Sequence, residues 1–465
     1  MAERYFFVGA GGIGMANLVR YFLSRGCAVA GYDRVRSQLS AKLEEEGAVM
    51  IYDDDPSLIP EAFRDPEAVK VVFTPAIPAD NRVLTFFRDG GFSIHKRAWV
   101  LGQVTRQMKG ICVAGSHGKT TTSSMIAWIL SQSRVGCDAF LGGILRNVDS
   151  NLIITPGAEY AVVEADEYDR SFHQLSPWIA VITSADPDHL DIYGDEARYL
   201  EAFSIFTSLI RPGGTLLLHT GLKVRPDLKP GVRLLSYSGI PGQTADWYAE
   251  NIDYREGQLL FDLCGPDGVR IDAISLGVPV EINVDNAVAA GASAWLAGAS
   301  VQEIRRGLET FRGAKRRFEI ILRGEADGAR SVLIDDYAHS PAEIEASIRS
   351  IRRLYPGRKV SVVFQPHLYS RTRDFAPEFA EALSNADEVV LTEIYPAREL
   401  PIPGVTSRII LDRLTTPGTL IERKDLLDKI KITNFDILIT LGAADLDTLL
   451  PEIADILRRD VENRR

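Results

Sequence analysis

The 465-residue sequence is poor in cysteine. Four occur (Cys27, Cys112, Cys137 and Cys264), far apart and with no CxxC pair. That spacing argues against a disulfide framework or a zinc site and fits reduced thiols in a cytosol. No uninterrupted apolar run is long enough to span a bilayer and no signal-peptide pattern is present, so a cytoplasmic protein without membrane insertion is expected. Positive charge is in deficit: 52 Lys and Arg face 63 Asp and Glu, a formal net charge of −11. This balance argues against general binding to nucleic acid or anionic membranes, while leaving room for a local basic pocket. Low-complexity tracts are also missing. The remainder, 46% apolar and 25% charged, is that of a globular protein too long for one ordinary core, so two or three domains are expected.

Three segments of alternating strand and helix patterns follow one another. The first opens with "RYFFVGAGGIGM", an apolar strand running into Gly9, Gly11 and Gly14, then an amphipathic helix and the strand "CAVAGYD" ending at Asp33. This is a βαβ unit with a phosphate-sized gap at a helix N-terminus, although the glycines alone also suit tight helix–strand packing. The second begins with "GICVAGSHGKTTT" and a helix carrying Met125, Ile126, Ile129 and Leu130. G-x-x-G-K-T is shorter than the common phosphate-loop pattern, yet the roles carry over. Glycines admit phosphates, Lys119 neutralises them and Thr120 offers a hydroxyl to Mg²⁺. The third starts near "FRGAKRRFE"; "SVLIDDY", "KVSVVFQP", "DEVVLTEIYP", "GTLIER" and "DILITLGA" read as strands of another parallel sheet. Ser340, Pro341 and Glu343 form a capping box that places His339 just outside a helix. The expected fold is therefore α/β with three domains. These are N-terminal and Rossmann-like (1–107), central, P-loop-type and ATP-binding (108–314), and C-terminal and Rossmann-like (315–465).

Ligand groups in such sheets collect where strands end. "AVVEADEYD" stops on Glu164, Asp166 and Glu167, and "AVITSADPDHLDIYG" on Asp186, Asp188, His189 and Asp191. A phosphate-bound Mg²⁺ takes few protein ligands, mostly carboxylates and hydroxyls, so Glu164 with Thr120 suits one ion. His189 stands at a second ion or orients a carboxylate or water. "KRRFE" puts Lys315, Arg316 and Arg317 at a domain junction, and "FQPHLYSRTRDF" adds His367, Arg371 and Arg373. Any one of these arginines alone reads as a solvated surface charge. Together they offer guanidinium forks for phosphate and carboxylate.

The ordered set "GAGGIGM", "GSHGKTTT", "EADE.D.SF", "DHLD.Y", "N..N", "F.G.KRRF", "DDYAH.P.E", "FQPH.Y.RT" and "PI.G" resembles the Mur ligases from residue 5 to about 445. The resemblance implies an N-terminal UDP-binding domain, a central ATP-binding domain and a C-terminal Rossmann-like domain, acting in peptidoglycan precursor synthesis. It implies that ATP phosphorylates the lactyl carboxylate of UDP-N-acetylmuramate and that the amine of L-alanine displaces phosphate from the acyl phosphate. By resemblance, Gly115, Ser116, His117, Gly118, Lys119, Thr120 and Thr121 wrap the ATP phosphates, and Asn283, Asn286 and Arg317 contact the nucleotide. Thr120, Glu164 and His189 serve Mg²⁺, while Lys119, His189 and His339 are catalytic. Gly11, Gly12, Ile13 and His117 lie against the UDP-sugar. Tyr337, His339, His367 and Arg371 form the amino-acid pocket. Groups from different domains then have to close on one another.

The sequence departs from the family pattern at several places. Ser116 stands for a threonine, Ile282 for the histidine of H-N-x-x-N, Ser340 for a second histidine, Leu368 for an arginine and Arg398 for a glycine. No lysine occurs between His189 and Lys223, where some relatives carry a carbamylated one. Three alternatives remain open on the sequence. The first is a ligase attaching a whole tripeptide to the same sugar nucleotide, towards which the tyrosine of "EADEYD" leans. The second is a dehydrogenase using the first glycine turn. The third is a nucleotide-binding regulator without catalysis.

Overall fold

The computed structural model describes residues 3–187, 190–255, 257–329, 331–397 and 399–462. Among the described residues, three sheets carry the architecture. In the first, Arg4–Val8 lies between Ala28–Tyr32 and Val69–Phe73, with Val49–Ile51 and Ser93–Lys96 outside them, all parallel. Its central strands are continuous apolar runs because both faces are covered by helices. The chain turns out of Arg4–Val8 at Gly9, whose φ of +86° favours glycine. It then enters the helix Ile13–Ser24.

In the ten-stranded central sheet, Lys109–Ala114 sits between Tyr160–Glu164 and Ile179–Ile182, parallel to both. Asp138–Leu145 and its antiparallel partner Ser150–Ile153 extend one side. Thr215–His219, Arg233–Ser238 and Trp247–Arg255 extend the other, and Gln258–Cys264 and Arg270–Ser275 complete it. The chain visits one side of Lys109–Ala114 before crossing to the other. A crevice therefore opens at that strand's carboxyl end, where ligands bind in sheets of this kind.

The chain separates into two compact units; the first holds the first sheet and the central sheet apart from Asn251–Phe261 and Ser275, which fall in the second. One apolar core joins these two sheets, from Tyr5, Phe7 and Met15 to Cys112, Phe140 and Phe203. The helix Ile13–Ser24 makes the junction: the Tyr21 ring lies 5.0 Å from that of Phe140. Arg25 pairs at 3.0 Å with the buried Asp138, and Arg20 donates to Asn151 at 2.9 Å. Breaking that first pair would strand a carboxylate in an apolar setting.

The second unit contains the third sheet, in which Ile437–Leu441 is flanked by Val332–Asp336 and Val360–Phe364, followed by Glu388–Leu391 and Gly418–Leu420. These five strands are parallel, as the sequence pattern predicts. The sixth, Glu319–Arg323, is an antiparallel edge strand that the pattern did not announce, being short and interrupted by a register shift. Ser340 caps the helix Pro341–Leu354 in a full capping box with Glu343. Among the described residues no helix is long and apolar enough to cross a membrane.

Candidate active site

The loop "GSHGK" leaves the central strand at the crevice and ends in the helix Lys119–Ser131. Gly115 has φ +144° and Gly118 φ +80°. A β-carbon on Gly115 would meet Thr183 Oγ1 at 2.2 Å, and one on Gly118 would meet Asn286 Oδ1 at 2.8 Å. Both positions therefore require glycine for space as well as for backbone conformation. Thr183 and Ser184 brace the loop from the neighbouring strand. Thr183 Oγ1 donates to the carbonyl of His117 at 2.5 Å and lies 3.1 Å from that of Ala114, and the N–H of His117 donates to Ser184 Oγ at 2.7 Å. Ser116 Oγ donates to the carbonyl of Asp186 at 2.6 Å and lies 3.0 Å from Tyr199 Oη. Serine thus supplies the hydroxyl contact available to a threonine there.

Lys119 Nζ lies 2.9 Å from both carboxylate oxygens of Glu167 and donates to the carbonyl of Gly115 at 2.5 Å. Glu167 is buried, which raises its pKa, while Lys119 acts against that shift. Thr120 Oγ1 lies 3.1 and 3.0 Å from the two oxygens of Glu164. Burial raises the Glu164 pKa too, with Lys119 and Thr120 opposing. Gly142 makes room for this carboxylate, since a β-carbon there would stand 2.1 Å from Glu164 Oε2. Thr121 is partly exposed in the first helical turn, where N–H groups have no partner within a helix. Asn286 reaches the loop from the helix Ile282–Ala297, accepting the Thr122 hydroxyl at 3.0 Å, whereas Asn283 donates to the carbonyl of Val278 at 3.2 Å. Of these two asparagines, it is Asn286 that abuts the phosphate loop. His189 lies outside the described residues, as do Asp188 and Arg398, and the side chain of Asp191 is likewise not described.

At the first sheet's crevice, Gly11 N donates to Asp33 Oδ2 at 2.8 Å, and Gly12 and Ile13 are exposed beside it. Sequence reasoning missed Arg97, whose guanidinium reaches this turn, and it missed Thr183 and Ser184. The signal for the latter pair was their place directly after an apolar strand paired with the phosphate-loop strand.

The second unit gathers the remaining predicted residues at the carboxyl ends of its strands. Tyr337 and His339 follow Val332–Asp336, their rings 5.2 Å apart. Arg317 is exposed with its guanidinium 5.3 Å from the Tyr337 ring. Its neighbour Arg316 instead turns inward, bonding the carbonyls of Gly442 and Ala444 at 2.6 and 2.8 Å and pairing with Asp335 at 3.4 Å. Lys315 is exposed. His339 Nδ1 faces the carbonyl of Tyr337 at 3.0 Å and Glu343 at 3.4 Å. Burial lowers its pKa; Glu343 opposes this, and the charges of Arg371 and Arg317 lower it further. The charged imidazolium is thereby disfavoured. The His367 ring stacks near Tyr395, centroids 5.9 Å apart. Leu368, with φ +72°, caps the short helix Tyr369–Asp374 that carries Arg371 and Arg373.

Comparison with known proteins identifies the family. Residues 4–109 match the Mur ligase family catalytic domain, 113–294 the Mur ligase middle domain and 316–444 the Mur ligase glutamate ligase domain. The chain is 52% identical over 457 residues to the UDP-N-acetylmuramate–L-alanine ligase of Parabacteroides distasonis, covering 98% of this chain and 97% of that protein. It is also 52% identical to the protein of the same name from Phocaeicola vulgatus, with 98% of each chain covered. The crystal structure of the UDP-N-acetylmuramate–alanine ligase of Thermotoga maritima superposes with a TM-score of 0.78 at 27% identity, covering 99% of both chains. A murein peptide ligase from Psychrobacter arcticus shares the fold, with a TM-score of 0.66 at 20% identity over 98% of this chain and 99% of that one. A three-domain α/β chain whose successive parts match the three parts of one ATP-dependent ligase family is a member of it: this protein belongs to the Mur ligases.

Proposed function

We propose that this chain joins L-alanine to the lactyl carboxylate of UDP-N-acetylmuramate at the expense of ATP, with Mg²⁺, in the cytoplasm. The observation that carries the chemistry is the phosphate loop, with Lys119 held against Glu167 and Thr120 held against both oxygens of Glu164. The substrate assignment rests on relatives matched over nearly the whole chain. The working domain division is 1–107 for the sugar nucleotide, 108–314 for ATP and 315–465 for the amino acid.

A carboxylate resists attack by an amine because its leaving group would be oxide. Transfer of the terminal phosphate of ATP gives an acyl phosphate with a good leaving group. Lys119 stabilises the transferring group from the first turn of its helix, among N–H groups of Gly115 to Thr121 that favour anions. Thr120 and Glu164 are hard oxygen donors, and a partly buried carboxylate whose desolvation raises its pKa is one that a divalent cation would neutralise, so the pair fits Mg²⁺. When bound there, Mg²⁺ offsets phosphate charge that would repel the incoming carboxylate. His189 is assigned to the metal ions by resemblance, at a second ion rather than this one. His117, Gly11, Gly12 and Ile13 border the sugar nucleotide, and Asn283, Asn286 and Arg317 attend the nucleotide. In the second unit Arg371 holds the alanine carboxylate with Tyr337 and His367, and neutral His339 takes the proton that the ammonium must lose before attack.

The test is ADP release by purified protein with ATP, Mg²⁺ and UDP-N-acetylmuramate, with L-alanine or L-Ala-D-Glu-diaminopimelate as the amine. A mass gain of one alanine residue on the nucleotide supports the proposal. Product with the tripeptide alone would replace it with the recycling reaction, and ADP with neither would remove ligation altogether.

A further inference from the structure

Arg97 has no role in anything described so far, yet it stands between the two crevices of the first unit. It opens the helix Arg97–Gln107, directly after the edge strand Ser93–Lys96 of the first sheet. Its guanidinium lies so close to Gly14 that a β-carbon there would stand 2.5 Å from Nη1 and 3.0 Å from Cζ. Gly14 is the second residue of the helix Ile13–Ser24, directly after the glycine turn of the first crevice. On its other side, Arg97 Nη2 faces Asp166 Oδ2 at 3.7 Å. That distance is an ion pair without a direct hydrogen bond, so the fork keeps donors for another anion. The side chain is 24% exposed, enough to be reached and little enough to be held.

Asp166 lies next to Glu167, the carboxylate that holds Lys119. The same short segment is gripped a second time, by Lys96 on Asp169 at 2.7 Å. It is also bent, since Asp169 and Arg170 both have φ +52°, a conformation that costs a non-glycine residue energy unless contacts maintain it. A cation thus sits against both the first helix's opening glycine and the segment whose Glu167 holds Lys119.

From this juxtaposition we infer that Arg97 binds an oxyanion of the sugar nucleotide and positions it between the glycine turn and Lys119. The inference rests on the reading of the first crevice as the sugar-nucleotide site. An incoming oxyanion competes with Asp166 for the guanidinium, and a paired hydrogen bond to the fork replaces the loose ion pair. Arg97 is a binding and positioning residue here, and Lys119 remains the group at the transferring phosphate.

Calorimetric titration of the full chain with UDP-N-acetylmuramate, without ATP, tests this. For Arg97→Gln the expected loss of affinity is roughly 10-fold or more, and for Arg97→Lys it is smaller, since a point charge replaces a fork. Gly14→Ala, which displaces the guanidinium without removing it, is expected to weaken binding as well. Asp166→Asn is expected to leave affinity unchanged or raise it, because it frees the fork. An equal loss in Asp166→Asn and Arg97→Gln, at unchanged melting temperature, would show that the ion pair merely anchors the segment and would overturn the inference. So would wild-type affinity in Arg97→Gln, with the functional reading left standing. Failure of the unaltered protein to bind the sugar nucleotide would overturn both. UDP-N-acetylglucosamine, which has the diphosphate but no lactyl carboxylate, separates the two oxyanions. A loss confined to the muramate nucleotide assigns Arg97 to the carboxylate, and a loss with both assigns it to the diphosphate.

Discussion

The phosphate loop and the His339–Arg371 cluster both lie at carboxyl ends of parallel strands, but they are assembled differently. In the first, one contiguous stretch supplies the chemistry and its neighbours hold it still. Lys119 is tied to Glu167, Thr120 to Glu164, His117 to Thr183 and Ser184, and Gly118 fits under Asn286. In the second, Tyr337, His339, His367, Arg371 and Tyr395 arrive from three separate strand ends, linked by ring contacts, by a backbone bridge between His367 and Tyr395 and by long-range charge. A site that handles ATP phosphates meets the same charged geometry whichever amino acid is used, and locking it removes reorganisation from the reaction. The second cluster, to which the proposed function gives the amino acid, is built from side chains on loops, which vary more readily than the elements they connect.

The sharpest way to break this comparison is at the lysine. Lys119→Ala is expected to abolish turnover, by about 10³-fold or more in kcat, while UDP-N-acetylmuramate still binds in a titration. Retained ligation would remove Lys119 from the chemistry. Next in size is Gly118→Ala, where the αL backbone costs about 1–2 kcal/mol and the added carbon presses on Asn286. A rise of about 10-fold or more in KM for ATP is expected, with a lower melting temperature; normal ATP kinetics would show that the loop is not rigid. Arg371→Lys should raise KM for L-alanine about 10-fold and leave KM for ATP within about 2-fold, since a fork is exchanged for a point charge. Equal changes in both would end the idea that the cluster is specific to the amino acid.

The smallest effect concerns stability. Burial pushes the Asp335 pKa up to about 6, against the hydrogen bond from Thr440 and the charge of Arg316. A carboxyl group that holds its proton more tightly when folded stabilises at low pH. Its contribution is fully present below the unfolded value near 3.8 and is lost as pH rises through about 6. Denaturant titrations between pH 4 and 7 should therefore show a decline for the wild type that is flatter in Asp335→Asn. Identical slopes would mean that the group titrates normally.

Much of the "GSHGK" loop's geometry was legible because its residues are adjacent in the chain. "GSHGKTTT" after an apolar strand already contained the turn, the cation and the hydroxyls, and the acids of "VVEADE" were placed at a strand end by their pattern alone. Thr183, Ser184 and Arg97 were not legible, because nothing local distinguishes a hydroxyl or an arginine that braces a loop some 70 residues away or reaches a turn some 80 away. Arg316 and Arg317 make the same point at closer range. In "KRRF" they are interchangeable; in the fold one is consumed by carbonyls of Gly442 and Ala444 while the other stays exposed over Tyr337.

The sequence by itself determined the elements and their kind: apolar runs long enough for buried parallel strands, glycines where the chain must turn tightly, and caps where helices start. These depend on interactions among near neighbours, and such interactions are written in residue order. Only the tertiary structure decided which carboxylate holds Lys119, which asparagine abuts the phosphate loop, which of two arginines is consumed by the fold, and that Arg97 stands between two crevices. Those outcomes depend on sheet order, which sets distant strand ends side by side, and on burial, which makes a charge's partner a matter of position in space.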